Sequence, residues 1–146
     1  MLTLKRKHLG FTIYELFIVL SIVLIITTLA MPYMGKMMIK SDLKSAEAAV
    51  IKSLRMAKTL AKTHNQTINV QINKETQTIQ LIKKDGSIAF LSKMPAKTKI
   101  IQNQSFIYSP LGTINKLGEI KIQSVVDQNK HRKVEIVSLI GQLANG

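Results

Sequence analysis

KRKHLGFTIYELFIVLSIVLIITTLAMPYMGK, Lys5 to Lys36, begins with three cations, which are followed by a glycine, one carboxylate and then an almost unbroken apolar run. Between Phe11 and Met34 the only charged residue is Glu15. As a helix, these 24 residues would span about 36 Å, and the hydrocarbon core of a bilayer is about 30 Å thick. The stretch therefore predicts a single membrane-spanning helix over residues 11–35. The cations before it favour a cytoplasmic start.

Glu15 does not suit a simple anchor. An ionised carboxylate near the bilayer centre is unfavourable by about 2.5–3.5 kcal/mol. A generic single-pass anchor, a secretory signal cut after Ala30 and a buried core helix all fit part of the hydropathy. None of the three asks for a glycine boundary that is followed by an aromatic residue and then a glutamate.

The segment GFTIYEL, Gly10 to Leu16, resembles the type IV prepilin signal. The resemblance implies that residues 1–10 are a leader peptide, which a membrane-embedded prepilin peptidase removes by cutting between Gly10 and Phe11. It also implies N-methylation of Phe11. Pro32 stands where many pilins carry a helix-kinking proline, which fits its missing N–H group.

Cleavage after Gly10 would supply a partner for Glu15. The new amino group of Phe11 would lie about one helical turn from this carboxylate, so the Phe11 amine of one subunit could meet Glu15 of its neighbour. The charge is unfavourable while unpaired and compensated when helices stack with the correct stagger. We expect Glu15 to act in assembly. The alternative is a carboxylate that is protonated or reaches the interface and has no role.

The helical periodicity continues over residues 36–64. Apolar residues recur at spacings of three and four within a sector of about 80°; they are Leu43, Ala46, Val50, Leu54, Ala57 and Ala61. This face is predicted to pack against the rest of the domain. Basic residues form a neighbouring stripe; they are Lys36, Lys40, Lys44, Arg55, Lys58 and Lys62. The stripe can be a solvated face, a contact to neighbouring subunits or a track for DNA.

After Asn65 and Gln66 the period changes to two, which predicts a β-sheet region over residues 67–140. Strands are expected over residues 67–72, 76–82, 87–91, 99–102, 106–108, 119–126 and 133–140, with a turn at Asp85–Gly86. The predicted fold is α+β. A long N-terminal helix, membrane-spanning in its first half and amphipathic in its second, packs on a small antiparallel sheet domain over residues 36–146.

A second resemblance lies in FIYSPLGTINKLGEIKI, Phe106 to Ile122, which is similar to a region of the GspH/FimT class of minor pilins and pseudopilins. Its second half most resembles the ComGD-type minor pilins of Gram-positive competence systems. Gly112 and Gly118 suit turns that need permissive dihedral angles. VEIVSLIG, residues 134–141, resembles the last strand of the class, and no further element is expected in the tail.

The net charge of +13 favours anionic partners such as nucleic acid, acidic lipid or wall polymer. Some FimT-like members carry basic residues after the terminal glycine that are associated with DNA binding, but here Gly141 is followed by Gln142, Leu143 and Ala144. The nearest replacement is the loop predicted over residues 129–133. Its candidate DNA or anion contacts are Lys130, His131, Arg132 and Lys133. An ordinary solvated turn is the alternative.

No catalytic motif, metal-ligand spacing or cofactor-binding motif is recognisable in the sequence, and there is no cysteine. We therefore expect a non-enzyme without cofactor or metal. The leading hypothesis is a minor pilin of a competence type IV pilus, which moves from the cell membrane into a surface filament with other pilins and supports DNA uptake. A GspH-like pseudopilin of a type II secretion system is the alternative. A membrane-tethered adhesin or DNA-binding module that never polymerises is a third.

Overall fold

The computed structural model describes residues 11–138, 140 and 142–145, and the side chains of residues 30–32 and 145 are not described. Contacts divide the chain into two compact units, the first ending at Met37 and the second beginning at Met38. The elements of this described part are one helix, α1 (Ile13–Thr63), and eight strands: β1 (Ile68–Asn73), β2 (Thr78–Lys83), β3 (Ile88–Lys93), β4 (Thr98–Ile100), β5 (Gln104–Tyr108), β6 (Gly118–Ser124), β7 (His131–Ile136) and β8 (Leu143–Asn145).

Local sequence sets both ends of α1. Thr12 is the N-cap, because its Oγ1 accepts a hydrogen bond from the Glu15 N–H at 3.3 Å. At the other end Asn65 adopts a left-handed conformation, with φ of 47°. The Asn65 N–H donates to the Lys62 carbonyl and the Gln66 N–H to the Ala61 carbonyl. These two bonds form a Schellman motif, with asparagine in the place that glycine usually holds.

The strands form two antiparallel four-stranded sheets. The first sheet has the order β3-β2-β1-β5 and the second the order β4-β6-β7-β8. In the first sheet, Val70 of β1 lies opposite both Leu81 of β2 and Phe106 of β5. In the second, Ile120 of β6 lies opposite Val134 of β7. All five of these residues are buried, so each sheet contributes one apolar face to the core.

The core lies between these faces and the second half of α1. All six apolar positions that the periodicity selects on this half are buried, which confirms the predicted packing face. They are Leu43, Ala46, Val50, Leu54, Ala57 and Ala61. The α+β architecture, a long N-terminal helix with antiparallel sheets, is also as predicted.

Two side-chain amides join the two sheets: Gln104 of β5 donates to the Glu119 carbonyl of β6 at 3.5 Å, and Gln77 makes a pair of bonds to β4. Gln77, in the turn between β1 and β2, has φ of 53°. Its Oε1 accepts a hydrogen bond from the Ile100 N–H at 2.7 Å, and its Nε2 donates to the Ile100 carbonyl at 3.1 Å. The amide thus pairs with β4 of the second sheet as a neighbouring strand would. We call this pair of bonds the Gln77 bridge.

The C-terminal prediction was wrong in its details. The last predicted strand was to run to residue 140, but β7 ends at Ile136. The tail, for which no element was expected, forms β8, in which Leu143 lies opposite Ile136. The chain reverses between them through a hydrogen bond from the Val137 N–H to the Gln142 carbonyl.

The two glycines that were assigned to turns have different roles. Gly112 has φ of +78°, as a turn glycine does. Gly118 begins β6 and is not among the positive-φ residues of the described chain. Glycine suits this position because the Phe106 ring packs closely against it, and a Cβ atom there would lie 3.1 Å from that ring. The prediction of a turn conformation at Gly118 was therefore wrong.

Candidate functional site

Glu15 lies in the first turn of α1. Its backbone N–H reaches Thr12, so residues 12–15 have the Thr-x-x-Glu order of a capping box. A carboxylate here also interacts favourably with the positive end of the helix dipole. The side chain is exposed, and no ion pair joins it to another residue of the described chain. The geometry thus leaves this carboxylate accessible to a group outside the subunit.

Three other residues are predicted to act in processing or assembly: Gly10, Phe11 and Pro32. Gly10 and the rest of the leader lie outside the described residues. Phe11 is described and is 84% exposed. Pro32 lies within the bounds of α1, but its side chain is outside the described part, so the kink stays a prediction.

The apolar half of α1 satisfies its own polar groups. Ser21, Thr27 and Thr28 each donate their hydroxyl hydrogen to the carbonyl four residues earlier, at 2.8, 2.5 and 3.0 Å respectively. The large apolar side chains between Ile13 and Leu29 are exposed. Over the described residues no single helix has both the length and the hydropathy of a membrane span. Ile13–Leu29 and Tyr33–Thr63 meet that test only when taken together as a bent pair.

Arg132 does not lie with the other candidate anion contacts. It stands on β7 in the same alternation as the buried Val134 and Ile136, and its Nη1 donates to Oε2 of Glu47 on α1 at 2.6 Å. The Glu47 side chain is only 4% exposed and that of Arg132 30%. Since the guanidinium neutralises a buried carboxylate, Arg132 is a structural ion-pair partner. Its placement in a free basic loop was wrong.

The buried Glu47 carboxylate is only partly satisfied by hydrogen bonds. Its second oxygen, Oε1, is buried and has no hydrogen-bond partner among the described residues. When one oxygen of a buried carboxylate is unsatisfied, the ion pair made by the other oxygen is what compensates for burying the charge. The Glu47–Arg132 pair therefore links the amphipathic half of α1 to the second sheet, and the removal of either charge would leave the other uncompensated.

The remaining candidates lie on the solvent side of the second sheet. His131 and Lys133 begin β7 and point away from the core, and the exposed Lys130 precedes them. Lys121 of β6 lies directly opposite Lys133, and Gln123 lies opposite both Lys99 and His131. Four lysines and one histidine form one continuous surface, which we call the basic face: Lys99, Lys121, Lys130, His131 and Lys133.

Two carboxylates pair with lysines of the basic face and reduce its net positive charge. Glu135 lies 2.5 Å from Lys133 and Glu119 lies 2.7 Å from Lys121. The hydrogen bond and charge of Glu135 raise the pKa of Lys133, and the bond to Lys121 lowers the pKa of Glu119. Both pairs are near the surface, where such contacts contribute little to stability. Their effect is to hold the two lysine side chains in place while Lys99 and Lys130 add further positive charge.

The sequence could have indicated part of this surface. The alternation in GEIKIQS, residues 118–124, places Lys121 opposite in direction to the buried Ile120 and Ile122. The pairing of Lys99 with the same patch depends on the order of strands, which sequence periodicity does not give. Among the described residues there is no group of three or more histidine, cysteine or acidic side chains that could hold a metal ion.

A long N-terminal helix with a buried second half on antiparallel sheets defines a pilin-like fold. The chain is similar in structure to the type IV minor pilin FimU of Pseudomonas aeruginosa, with a TM-score of 0.58, 17% identity, and coverage of 73% of this chain and 90% of that one. It is also similar to the minor pseudopilin EpsH of the type 2 secretion system of Vibrio cholerae, with a TM-score of 0.57, 11% identity, and coverage of 72% and 96%.

At these identities the likeness concerns the fold. No protein-family model matches the chain. No curated protein matches its sequence either. The structural comparison agrees with the predicted pilin-like architecture.

Proposed function

We propose that the chain is a minor pilin of a competence type IV pilus. In this proposal, prepilin peptidase cuts after Gly10, Phe11 is N-methylated, and the subunit passes from the cell membrane into a surface filament with other pilins. The apolar half of α1 forms the filament core. The role is structural and needs no catalytic group or cofactor.

The observation that carries this proposal is the position of Glu15. It is an exposed carboxylate in the first turn of an apolar helix, in a chain whose other half has a pilin-like fold. Because cleavage after Gly10 would place an amine at Phe11, each subunit would carry both partners of an intersubunit ion pair. The stagger between neighbouring helices would follow from that pair.

Mass spectrometry of the protein from its own cells tests the processing step. We expect an amino terminus at Phe11 that carries one added methyl group. An intact leader, or a chain that begins at Met31, would overturn the minor pilin proposal. A processed but unmethylated Phe11 would support cleavage and overturn the methylation step.

The second candidate is a pseudopilin of a type II secretion system. It is supported by the likeness to EpsH, which covers 96% of that chain. Deletion of the gene separates the two candidates. We expect the deletion to abolish natural transformation and leave protein secretion unchanged. Lost secretion with normal transformation would favour the pseudopilin.

We further propose that the basic face contacts DNA during uptake. Its lysines would meet phosphates without reading sequence, and the basic face includes no Phe, Tyr or Trp, which argues against a platform for base stacking. Arg132 is left out because it neutralises Glu47.

Neutral substitutions of Lys121, Lys130 and Lys133 by glutamine test this contact. If each lysine meets one phosphate, the slope of log K against log salt should fall by about 0.9 per lost contact for duplex DNA. Lys84→Gln, in the turn between β2 and β3, is the matched control. An unchanged salt dependence in the triple variant would contradict the proposed contact.

A further inference from the structure

A shallow cleft of about 340 Å³ opens at one end of the first sheet, where β1 and β5 lie side by side. The end of β1, the start of β5 and the loop before β6 surround it. Its lining residues are Gln71, Ile72, Asn73, Asn103, Gln104, Ser105 and Lys116. None of them belongs to the basic face, which lies on the second sheet.

The cleft lining combines free and engaged hydrogen-bonding groups. Gln104 Nε2 donates to the Glu119 carbonyl at 3.5 Å and the Ser105 hydroxyl donates to Asn69 Oδ1 at 3.2 Å, so both of these donors are engaged within the subunit. The Asn73 side-chain oxygen accepts bonds from the N–H groups of Glu75 and Thr76 at 2.8 and 3.1 Å. The Asn103 oxygen accepts the Lys74 N–H at 2.6 Å. Because these oxygens are held by the backbone, what each asparagine can still offer is its NH2 group. The lining residues include no carboxylate.

Lys116 supplies a single positive charge. Its Nζ lies 5.4 Å from the centroid of the Phe106 ring, and this ring is fully buried. The rigid ring favours the ammonium at this position through a cation–π interaction. The exposed Gln71 and Ser105 lie opposite each other in the β1–β5 register. Gln71 adds an amide, and Ser105 adds a hydroxyl oxygen that can accept a hydrogen bond while its hydrogen is donated to Asn69.

We propose that this cleft binds an acidic glycan: a hydroxyl-rich chain with a carboxylate or phosphodiester that pairs with Lys116. The NH2 groups of Asn73 and Asn103 would donate to neighbouring hydroxyl groups of the ligand, the Gln71 amide could both donate and accept, and the Ser105 oxygen could accept. A nucleic acid fits less well, because one lysine cannot follow a phosphate backbone and no lining residue is aromatic. The inference does not depend on the minor pilin proposal.

Saturation-transfer NMR titrations of the full chain in detergent micelles test the inference. The probes are trigalacturonic acid, which carries carboxylates, and a glycerol phosphate oligomer, which carries phosphodiesters; maltotriose is the neutral comparison. We expect at least one acidic probe to bind more tightly than maltotriose. The stronger of the two identifies the acid group that the cleft prefers.

Lys116→Met should weaken binding of the acidic probe by about tenfold, because it removes a charge-assisted bond and keeps the apolar stem. The matched control, Lys84→Met, removes the same charge from an exposed turn and should leave affinity unchanged. Gln71→Ala should weaken binding about threefold through a lost neutral hydrogen bond.

Three results would overturn the inference. The first is that neither acidic probe binds. The second is an equal loss of affinity in the Lys116 and Lys84 variants, which would indicate general attraction by net charge. The third is that duplex DNA competes for the cleft with higher affinity than either glycan and loses that affinity in Lys116→Met. That result would assign the cleft to nucleic acid.

Discussion

The two halves of α1 belong to one helix but have opposite surroundings. In the first half the large apolar side chains are exposed, with Leu24 at 65%. In the second half the apolar stripe lies against two sheets, with Leu54 at 1%. The second half thus has a core within its own subunit, and the first half does not. An apolar surface of this extent requires a partner, and lipid or neighbouring helices can both serve.

Substitution of Glu15 should have the largest effect on the first half. We expect Glu15→Val to insert into membranes normally and to enter filaments at least about tenfold less than the natural protein, since it removes one partner of the proposed intersubunit ion pair. Immunoblots of sheared filaments against total membranes would measure the ratio. Tyr14→Phe is the control.

Glu15→Gln separates pairing from capping. Glutamine can take the glutamate place in a capping box, but it cannot neutralise an amine. If pairing matters, this variant should be as defective as Glu15→Val. Normal incorporation of Glu15→Gln would show that the negative charge is not needed and would contradict the proposed pairing.

A matched pair of leucine truncations tests the contrast between the halves directly. Leu54→Ala should lower the free energy of unfolding of the sheet-bearing unit by about 2–5 kcal/mol, because it opens a cavity in a packed core. Leu24→Ala should change it by less than about 0.5 kcal/mol. Urea titration of the full chain in micelles, followed by circular dichroism, would measure both. Equal effects would contradict the division into an intrasubunit core and an unpartnered half.

The link between α1 and the second sheet can be broken at Glu47 and Arg132. Arg132→Met should destabilise the sheet-bearing unit by about 3 kcal/mol, because it leaves the Glu47 carboxylate buried and unpaired. The double variant Glu47→Leu/Arg132→Met should recover most of that loss. If the double variant is no more stable than Arg132→Met, the charge pair is not what the single substitution disturbs. The same urea titration measures all three proteins.

Two glycines offer the smallest expected effect. Gly112 and Gly86 have similar φ angles of +78° and +84°, so alanine at either should cost about 1 kcal/mol. A Cβ at Gly86 would meet no atom within 4 Å, whereas one at Gly112 would collide with the Lys62 side chain. Because the flexible Lys62 side chain can move aside, Gly112→Ala should be more destabilising than Gly86→Ala by no more than about 0.5 kcal/mol. Lys62→Ala in the same background should remove the difference.

What the sequence could predict follows from the range of the interactions involved. The buried face of α1 was predicted correctly because a period of 3.6 is a property of consecutive residues. The direction of Arg132 could also have been predicted, since it alternates with Val134 and Ile136, but the strand was expected to begin only at Lys133. β8 has three residues and no alternation to detect, and its existence depends on the partner strand β7.

The candidate site residues also divide into those with a local sequence motif and those brought together by long-range contacts. Glu15 was found from a local motif, and so was its place at the helix start. The grouping of Lys99 with His131 arises from strand order, and the Glu47–Arg132 pair joins residues 85 positions apart. Contacts of this separation have no local signature in a single sequence.

The Gln77 bridge couples local opening of the second sheet at β4 to the β1–β2 turn of the first sheet. Ile100 makes both of its bridge bonds to a side chain of the first sheet's turn, so β4 cannot separate from that turn without losing them. Opening of this edge is therefore coupled to the β1–β2 hairpin, and amide exchange at Ile100 would follow the protection of both sheets. Gln77 thus couples the edge strand of the second sheet to a turn of the first, in addition to the hydrophobic core that the two sheets share.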